Sequence, residues 1–291
     1  MASAAPSVVE RFAPSPTGEL HLGHAFSALT AWEAAQAAGG TFLLRMDDLD
    51  TGRCKPEFAQ GIEDDLRFLG FFWPEPVLYQ STRAAEHGAV IDDLIAKGLV
   101  YPCVCTRAEI QAAAGAPQEG APDGPPYPGT CRGQSGLPSD QPHALRLDMG
   151  KAIDFLGGNE AVRSLTFEEI GVGPNGERGT IPLDPDALIE QVGDVVLRRK
   201  DGAIAYHLAV VLDDGFQGIT HVTRGQDLFP STPIHRLLQA LTGTPTPIYR
   251  HHRLIRDENG RRLAKRHRDL SLSVLRAGGA TPADIRASAG L

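Results

Sequence analysis

The chain has 291 residues, of which 42% are hydrophobic and 22% charged, and a formal net charge of −8. This composition is ordinary for a globular protein of one or two domains. No apolar run approaches the roughly 20 residues that cross a bilayer, and the N-terminus lacks the basic region and apolar core of a signal peptide. We therefore expect a cytoplasmic protein without membrane contact. The negative charge argues only weakly against a nucleic-acid partner, because binding depends on a local basic face.

The first elements follow the order strand, helix, strand, which is the unit of a parallel α/β sheet. Residues 8–12 predict a short buried strand, and apolar residues from Leu22 onward recur at helical spacing. Residues 41–46 form a continuous apolar run, typical of a buried parallel strand. Residues 47–50 then lie at the carboxyl end of this strand, where open α/β sheets bind ligands.

The second part of the chain is less regular. Helices are predicted over 56–69 and 82–97, with a strand at 77–80 between them. Pro and Gly are dense from 114 to 142, so residues 101–142 predict a loop-rich insertion that needs a staple other than a hydrophobic core. The later predicted elements are strands at 144–147 and 164–167, a loop at 171–186, resumption of the main sheet at 192–198, an apolar run at 203–212, a strand at 218–224, a helix from a Ser231 cap to 241, and a helical tail at 271–291.

Two histidines begin the first predicted helix. His21 and His24 are three residues apart and share one face, with Gly23 between them. Backbone N–H groups at a helix start bind phosphate, and imidazoles beside them can follow charge that moves onto it. Gly23 leaves room for a flat ring to approach the backbone. The motif indicates a nucleotide site, and the alternative is a pair of ordinary histidines at a helix cap.

Two arginines lie on predicted central strands. Arg11 and Arg224 suit a substrate with carboxylates, because a guanidinium binds a carboxylate in a bidentate manner. Tyr206 can add a phenolic hydrogen bond. The alternative is an internal salt bridge for Arg224 and a core position for Tyr206.

Three of the four cysteines fall within the predicted insertion: Cys103, Cys105 and Cys131. Clustered cysteines in a cytosolic chain indicate a metal rather than a disulfide, and Zn²⁺ prefers four ligands in a structural site. The fourth ligand is Tyr127 or His143 on chemistry alone. The alternative is three free thiols in a loop, and Cys54 is a separate free thiol.

A basic stretch precedes the helical tail. Residues 250–269 carry eight lysines and arginines and three acids. Such a stripe fits contacts to a phosphate backbone, and an ordinary solvent-exposed turn is the alternative. Lys265, within this stretch, can neutralise phosphate charge that develops during a reaction.

Two longer strings carry a family resemblance. Arg-Phe-Ala-Pro-Ser-Pro-Thr-Gly begins at Arg11, and His-Leu-Gly-His follows at 21–24. Together they resemble the first signature of class I aminoacyl-tRNA synthetases, in its glutamate-specific form. Residues 261–266 look like the second signature, with Arg262 for its first lysine and Ala264 for its serine.

The resemblance implies a fold and a set of site residues. The fold is α/β, a Rossmann-like parallel sheet with an inserted zinc-containing subdomain and a short C-terminal helical part. The implied catalytic residues are His21, His24 and Lys265, which with Gly23 also bind ATP. The implied glutamate-binding residues are Arg11, Phe12, Ala13, Pro14, Ser15, Asp47, Tyr206 and Arg224. Asp47 stands where the family usually has a glutamate for the substrate amino group, one methylene shorter.

The cysteine pattern narrows the resemblance. Cys-x-Cys followed by Tyr-x-x-x-Cys resembles the zinc site of glutamyl-queuosine tRNA(Asp) synthetases, shortened relatives of glutamyl-tRNA synthetase. It implies one structural Zn²⁺ on Cys103, Cys105, Tyr127 and Cys131. The sequence ends 26 residues after Lys265, where glutamyl-tRNA synthetases carry an anticodon-binding domain, so we expect none. We divide the chain into two halves of a catalytic domain (1–100 and 191–245), the insertion (101–190) and a lysine-loop and helical segment (246–291).

The implied activity has two steps. ATP, with Mg²⁺, activates L-glutamate to glutamyl-adenylate, and glutamate then passes to queuosine at the wobble position of tRNA(Asp). Residues 250–268 are expected to face the anticodon arm of tRNA(Asp), and a monomer is expected. The alternatives are a truncated glutamyl- or glutaminyl-tRNA synthetase, a ligase with a small acceptor, and a non-enzymatic tRNA-binding module.

Overall fold

The computed structural model describes residues 7–113, 126–134, 141–255 and 271–291. The strands are β1 (Val9–Phe12), β2 (Thr41–Met46), β3 (Leu78–Tyr79), β4 (Val100–Cys103), β5 (Ala144–Leu147), β6 (Thr166–Glu169), β7 (Gly179–Pro182), β8 (Val196–Arg198), β9 (His221–Gly225) and β10 (Ile248–His252). The helices are α1 (Leu22–Ala37), α2 (Pro56–Phe68), α3 (Ala84–Ala96), α4 (Arg107–Ala113), α5 (Met149–Phe155), α6 (Gly158–Arg163), α7 (Pro185–Ala187), α8 (Tyr206–Phe216), α9 (Thr232–Thr242), α10 (Leu272–Ala277) and α11 (Pro282–Ala289). None of these described helices is both long and apolar enough to span a membrane.

The strand, helix, strand unit at the start of the chain is confirmed. β1 pairs in parallel with β2, from Val9 opposite Thr41 to Phe12 opposite Leu44, and β2 pairs in parallel with β3. β1 also lies beside β9, because the amide of Thr220 donates to the carbonyl of Val9 at 3.0 Å. The carboxyl ends of β1, β2 and β9 therefore meet at one edge, where a parallel sheet binds ligands.

The second half of the chain adds four strands in the order β7-β6-β10-β9. β10 pairs in parallel with β9 and with β6, and β7 closes the edge in the antiparallel direction. The prediction of a loop over 171–186 is wrong for Gly179–Pro182. Ile181 lies opposite Phe167 and packs against the buried core. The contact between the two strands stabilises β7 although Gly and Pro are frequent nearby. The prediction of a loop was based on that local composition alone.

A separate antiparallel sheet joins β4, β5 and β8. The prediction that the main sheet resumes at 192–198 is therefore wrong: β8 pairs with β5, with Leu145 opposite Arg198. Residues Leu188–Val192 form a π-helical turn that Gly193 ends with a φ of 68°. A short apolar run does not reveal which sheet it joins, because its periodicity is the same in both. The four-part division of the chain stays a prediction.

Two hydrophobic clusters support these sheets. The larger one spans the insertion and the second half of the chain, and includes Leu147, Leu208 and Leu237. The other packs α10 and α11 against the first strands and helices through Leu272 and Ile285. Each such buried side chain contributes about 1.5–3 kcal/mol. The C-terminal helices are thus anchored beside the elements that carry the two histidines.

Two local predictions have different outcomes. The run at 203–212 contributes most of α8, which begins at Tyr206. The helix after Ser231 is present, but the Ser231 side chain makes no capping hydrogen bond. A 3₁₀ turn, Gln226–Ser231, runs directly into α9 and places Ser231 in a helical conformation, so its hydroxyl does not reach the helix amides.

Candidate active site and cysteine cluster

A cavity of about 280 Å³ opens where the carboxyl ends of β1, β2 and β9 meet. This volume is near the lower end of the range in which proteins bind small molecules. Eleven of the predicted site residues line it together: Arg11, Phe12, Ala13, Pro14, Ser15, His21, Gly23, His24, Asp47, Tyr206 and Arg224. Lys265 lies outside the described residues.

The histidines build the start of α1. His21 is the N-cap, and its Nδ1 accepts from the amide of Gly23 at 3.1 Å. The Nδ1 of His24 in turn accepts from the amide of His21 at 3.2 Å, and the two rings stack with centroids 3.8 Å apart. A Cβ at Gly23 would lie 3.0 Å from Cε1 of His21, so the room that this glycine leaves is taken by the His21 ring. The helix start therefore presents two paired imidazoles at the cavity.

Arg11 lies in a buried cluster with a carboxylate. Its Nε donates to Asp214 Oδ1 at 3.1 Å, and Arg45 Nη1 donates to the same oxygen at 2.7 Å. Burial lowers the pKa of Arg11, but the charge and hydrogen bond of Asp214, together with Tyr206 and Glu10, hold that pKa above its ordinary value. Burial likewise raises the pKa of Asp214, but the two arginines hold it below its usual range. One carboxylate thus compensates two cations.

Arg45 is a cavity residue that the sequence analysis missed. It is fully buried, and its Nη1 also donates to Gln217 Oε1 at 3.0 Å. Its Nε and Nη2 are buried and have no hydrogen-bond partner in the described structure. The sequence position of Arg45 could have revealed it. Arg45 lies on β2 two residues before Asp47, and residues two apart along a strand point to the same face of the sheet.

Arg224 lines the cavity from β9, the strand beside β1, and has a different set of partners. Its Nε donates to His251 Nε2 at 3.0 Å, its Nη1 contacts His235 Nδ1 at 3.1 Å, and its Nη2 donates to Thr232 Oγ1 at 2.7 Å. Within the described part of the chain, no carboxylate forms an ion pair with Arg224. The described residues therefore form no internal salt bridge with Arg224, which was the alternative interpretation of this arginine.

The imidazoles around Arg224 have partners of their own. His251 Nδ1 contacts Glu169 Oε2 at 2.5 Å, and His235 Nε2 contacts His207 Nδ1 at 3.0 Å. Burial, reinforced by the charge of Arg224, holds the pKa of His235 well below its ordinary value. Burial also lowers the pKa of His251, against the raising effect of its hydrogen bond to Glu169. Both rings are accordingly neutral at pH 7.

Asp47 and Tyr206 complete the wall between the two arginines. Ser15 Oγ donates to Asp47 Oδ2 at 3.1 Å, and the backbone amide of Asp47 donates to the carbonyl of Pro14. Burial raises the pKa of Asp47, although the hydrogen bond from Ser15 and the charge of Arg45 oppose this. Tyr206 lies edge-on to the His235 ring, with centroids 5.6 Å apart. It is a wall residue of the cavity rather than a core residue alone.

The carboxyl end of β10 also belongs to the cavity. His252, Arg253, Leu254 and Ile255 line it, although the sequence analysis assigned them to an RNA-facing stripe. His251 is buried, and Arg253 stacks on Phe26 with its guanidinium carbon 4.8 Å from the ring centroid. The described residues at 250–252 therefore do not form an exposed basic surface, because the parallel strand carries them into the sheet. Residues 256–268 of that stretch lie outside the described residues.

The three predicted cysteines lie together in the insertion. Their sulfur atoms are all within 4.8 Å of one another, so they could hold a metal ion. The hydroxyl of Tyr127 lies 3.3 Å from Cys105 Sγ and accepts from the amide of Cys131 at 2.8 Å. His143 instead contacts the carbonyl of Gln141 and is not part of this described group. Of the two predicted rivals, only Tyr127 is in place to act as a fourth ligand.

The cluster is braced by charged neighbours. The guanidinium carbon of Arg146 lies 4.0 Å from the centroid of the Tyr127 ring, and its Nη1 donates to the carbonyl of Asp194 at 2.8 Å. Arg132, next to Cys131, donates to Asp194 Oδ2 at 2.7 Å. Burial raises the pKa of Cys105, whereas the hydrogen bond with Tyr127 and the amide of Val104 hold the pKa of Cys131 below its ordinary value despite burial. Asp194 thereby ties the cysteine segment to β5 and β8.

The fold is that of a class I tRNA synthetase catalytic domain. The family model described as tRNA synthetases class I (E and Q), catalytic domain, matches residues 7–287. The chain is 51% identical to the glutamyl-Q tRNA(Asp) synthetase of Rhodobacter capsulatus, over 98% of this chain and 100% of that protein. It is 41% identical to the protein of that name from Nitratidesulfovibrio vulgaris, over 94% of this chain and 83% of that protein. The chain belongs to the E and Q family of class I tRNA synthetases and, within it, to the glutamyl-Q tRNA(Asp) synthetases.

Solved structures agree with this assignment. The glutamate-tRNA synthetase of Elizabethkingia anophelis aligns with a TM-score of 0.68 at 27% identity, covering 89% of this chain and 53% of that one. A glutamate tRNA ligase from Elizabethkingia meningosepticum, solved with its amino acid, aligns with the same TM-score and identity. This chain therefore spans about half the length of the solved synthetases that it matches.

Proposed function

We propose that this protein activates L-glutamate with ATP and transfers the glutamyl group to queuosine in tRNA(Asp). The observation that carries the proposal is the cavity, which places a histidine-capped helix start, the arginines Arg11 and Arg224 and the half-buried carboxylate of Asp47 around one space. These groups match a nucleotide and a small acidic amino acid. The relatives that share the chain over nearly its full length are named for this reaction.

The amino acid lies between the two arginines. Arg11, Arg224, Ser15 and Tyr206 hold glutamate through its carboxylates, because guanidinium groups bind carboxylates in a bidentate manner. Asp47 receives the α-ammonium group. Its carboxylate is already oriented by Ser15, which offsets the missing methylene relative to the glutamate that is usual in the family.

The nucleotide lies at the start of α1. His21, Gly23 and His24 contact ATP, and Mg²⁺ on the phosphates lowers their charge. The glutamate carboxylate attacks the α-phosphorus, pyrophosphate leaves, and a queuosine hydroxyl then displaces AMP from the adenylate. Positioning for in-line attack and charge stabilisation carry the first step.

Lys265 neutralises the leaving pyrophosphate. It lies outside the described residues, but both flanks of its segment are at the site. Ile255 lines the cavity, and Ser271 forms a β-bridge with His21. Lys265→Ala should therefore lower pyrophosphate exchange into ATP by about 10²-fold or more. Lys97→Ala, an exposed lysine on the far end of α3, is the matched control, and equal exchange rates in the two variants would contradict the assignment.

The cysteine cluster holds one structural Zn²⁺. Cys103, Cys105, Cys131 and the hydroxyl of Tyr127 fit the donor set of a closed four-ligand site, whose function is to stabilise the insertion. Freshly purified protein should contain about one zinc per chain by elemental analysis, and Cys103→Ser or Cys131→Ser should lose it. Cys54→Ser should retain it, and zinc-free wild type purified without a chelator would refute the site.

The acceptor is tested directly with radiolabelled glutamate. Wild-type enzyme should glutamylate tRNA(Asp) that carries queuosine and leave both tRNA(Asp) without queuosine and tRNA(Glu) unlabelled. Nuclease digestion followed by chromatography then shows whether the label is on the anticodon nucleoside or on the 3′-terminal adenosine. Equal labelling of tRNA(Glu) at its 3′ end would contradict the proposal and indicate the activity of an ordinary glutamyl-tRNA synthetase.

A further inference from the structure

The environment of Arg224 specifies the protonation of the histidines around it. A guanidinium only donates hydrogen bonds, so the atoms that face it, Nδ1 of His235 and Nε2 of His251, must be unprotonated acceptors. The opposite nitrogens then carry the protons. His235 donates to His207 at 3.0 Å, and His251 donates to Glu169 at 2.5 Å.

The acidic side chain bound to His251, Glu169, does not pair with Arg224. Glu169 accepts from the ring and amide of His251 and from the amide of Gly171, at 2.5, 2.9 and 2.7 Å. With three donors it is held in place, and the His251 ring stands between it and the guanidinium. Burial raises the pKa of Glu169, but these hydrogen bonds hold it below its ordinary value, so it stays charged where it is.

Among the described residues, Arg224 is therefore buried with acceptors that carry no charge. Its third contact, Thr232 Oγ1, is neutral as well. A guanidinium has five N–H groups; three are used in these bonds, so two remain for a ligand in the cavity that Arg224 lines. A buried cation without a counter-ion is costly, and a substrate carboxylate is the group that relieves this cost.

We propose that His235 and His251 are positioning residues that make this site prefer a carboxylate side chain over its amide. They fix Arg224 with neutral acceptors and leave its charge for the substrate. The inference deepens the proposed function and rests on it in one respect, namely that the carboxylate belongs to glutamate. Neither histidine contacts the ligand in this proposal. Each histidine therefore affects substrate binding through the charge of Arg224 rather than through a contact of its own.

The test uses two variants of His235 that differ only in charge. Asn places a neutral oxygen where Nδ1 lies, and Asp places a charged oxygen in the same position. His235→Asn should keep the Kd for glutamate within about threefold of wild type. His235→Asp should weaken glutamate binding by about 30-fold or more, with little change for glutamine, because the new carboxylate compensates the charge that Arg224 otherwise offers to the substrate. Equilibrium dialysis with each labelled amino acid, in the presence of a non-hydrolysable ATP analogue, measures both.

A structural role predicts a different pattern. If His235 only fills space, Asn and Asp should change glutamate and glutamine binding alike, and this result would overturn the inference. Leu238→Ala, a buried packing change on the same helix, should lower stability and leave the glutamate-to-glutamine ratio unchanged. Binding of the ATP analogue, which should be the same in all variants, shows that the cavity is intact.

A second pair covers the case in which His235→Asp does not fold. Thr232 contacts the other terminal nitrogen of Arg224 and opens α9, where the helix dipole favours an acid. Thr232→Asp should reduce the preference for glutamate, and Thr232→Asn should retain it. Wild type that binds glutamate selectively but catalyses no pyrophosphate exchange would refute the proposed function and leave this inference standing. Wild type that binds the two amino acids equally would refute the inference.

Discussion

Two arginines line the same cavity from the neighbouring strands β1 and β9, and their surroundings differ in kind. Arg11 shares the carboxylate of Asp214 with Arg45, so its side of the cavity is an ion cluster. Arg224 is held by two imidazoles and a hydroxyl, none of them charged. The sequence shows only that both residues are arginines. Among the described residues, a carboxylate compensates the charge of Arg11, whereas the charge of Arg224 stays available for a ligand. Charge availability at a site is thus set by the partners of an arginine, not by its presence.

Asp214→Asn should give the largest effect, on stability. It leaves Arg11 and Arg45 buried without a counter-ion, and breaking a buried pair in this way costs about 3–5 kcal/mol. Urea unfolding followed by circular dichroism measures the change. Asp186→Asn removes an exposed ion pair with Arg163 and should cost less than about 1 kcal/mol. If the two variants lose the same stability, the cluster around Arg11 does not depend on charge compensation.

Arg224→Met should have the opposite profile. Glutamate activation should fall by roughly 30-fold to several thousand-fold in kcat/KM, the equivalent of about 2–5 kcal/mol. Stability should change by no more than about 1 kcal/mol, because a cation without a counter-ion is replaced by an apolar side chain of similar length. Pyrophosphate exchange and urea unfolding give the two numbers. A large loss of stability with glutamate activation intact would contradict the assignment of Arg224 to substrate binding.

Thr232→Val should affect only the Arg224 side, and to a smaller extent. It removes one of the three hydrogen bonds of the guanidinium, worth about 1.5 kcal/mol for a charged donor. The KM for glutamate should rise about tenfold, and kcat should change little. Stability measured on the same sample should fall by no more than about 1.5 kcal/mol, less than for Asp214→Asn, because Thr232 lies outside the Asp214 cluster.

The pH dependence of stability should sharpen the contrast further. The pKa of His235 is lowered by burial and by Arg224, so between that value and its ordinary pKa of about 6.5 the unfolded chain binds more protons. Stability should therefore fall as the pH drops below about 6.5, by roughly 1 kcal/mol per pH unit from this histidine. The other groups that face it are Arg11, His207, Arg224 and His251. His235→Asn should flatten the slope in urea unfolding at pH 7.5, 6.5 and 5.5, and an unchanged slope would exclude a neutral His235.

The first half of the fold and the outline of the cavity followed from the sequence, because their signals are local. The run at 41–46 and the helical spacing after Leu22 define β1–α1–β2 without reference to the rest of the chain. β7 and the partner of β8 could not be found in this way. β7 pairs with the preceding strand β6, but the Gly- and Pro-rich pattern around it carries no strand signal. β8 pairs with β5, about fifty residues earlier in the chain, and a short apolar run does not reveal such a partner.

The site shows the same division. The motif at 11–24 predicted several of the residues that line the cavity. The sequence did not reveal which groups each of them contacts. Asp214 is far from Arg11 along the chain, and His251 was assigned to an exposed basic stripe although it is buried. Hydrogen-bond partners of buried polar groups arise from packing, so they become visible only when the elements are assembled.

β8 gives the cysteine cluster an influence beyond the insertion. Lys200, just after β8, donates to the carbonyl of Val104 between two of the cysteines, and the amide of Ala205 donates to Leu197 directly before Tyr206. One hydrogen bond from the Lys200 side chain and one between backbone groups thus connect the cysteine segment to the wall of the cavity. Hydrogen exchange at Ala205 should accelerate when the thiols are alkylated, because local opening spreads along such contacts. An enzyme sample whose thiols have oxidised in storage would then lose its affinity for amino acid before it loses its fold.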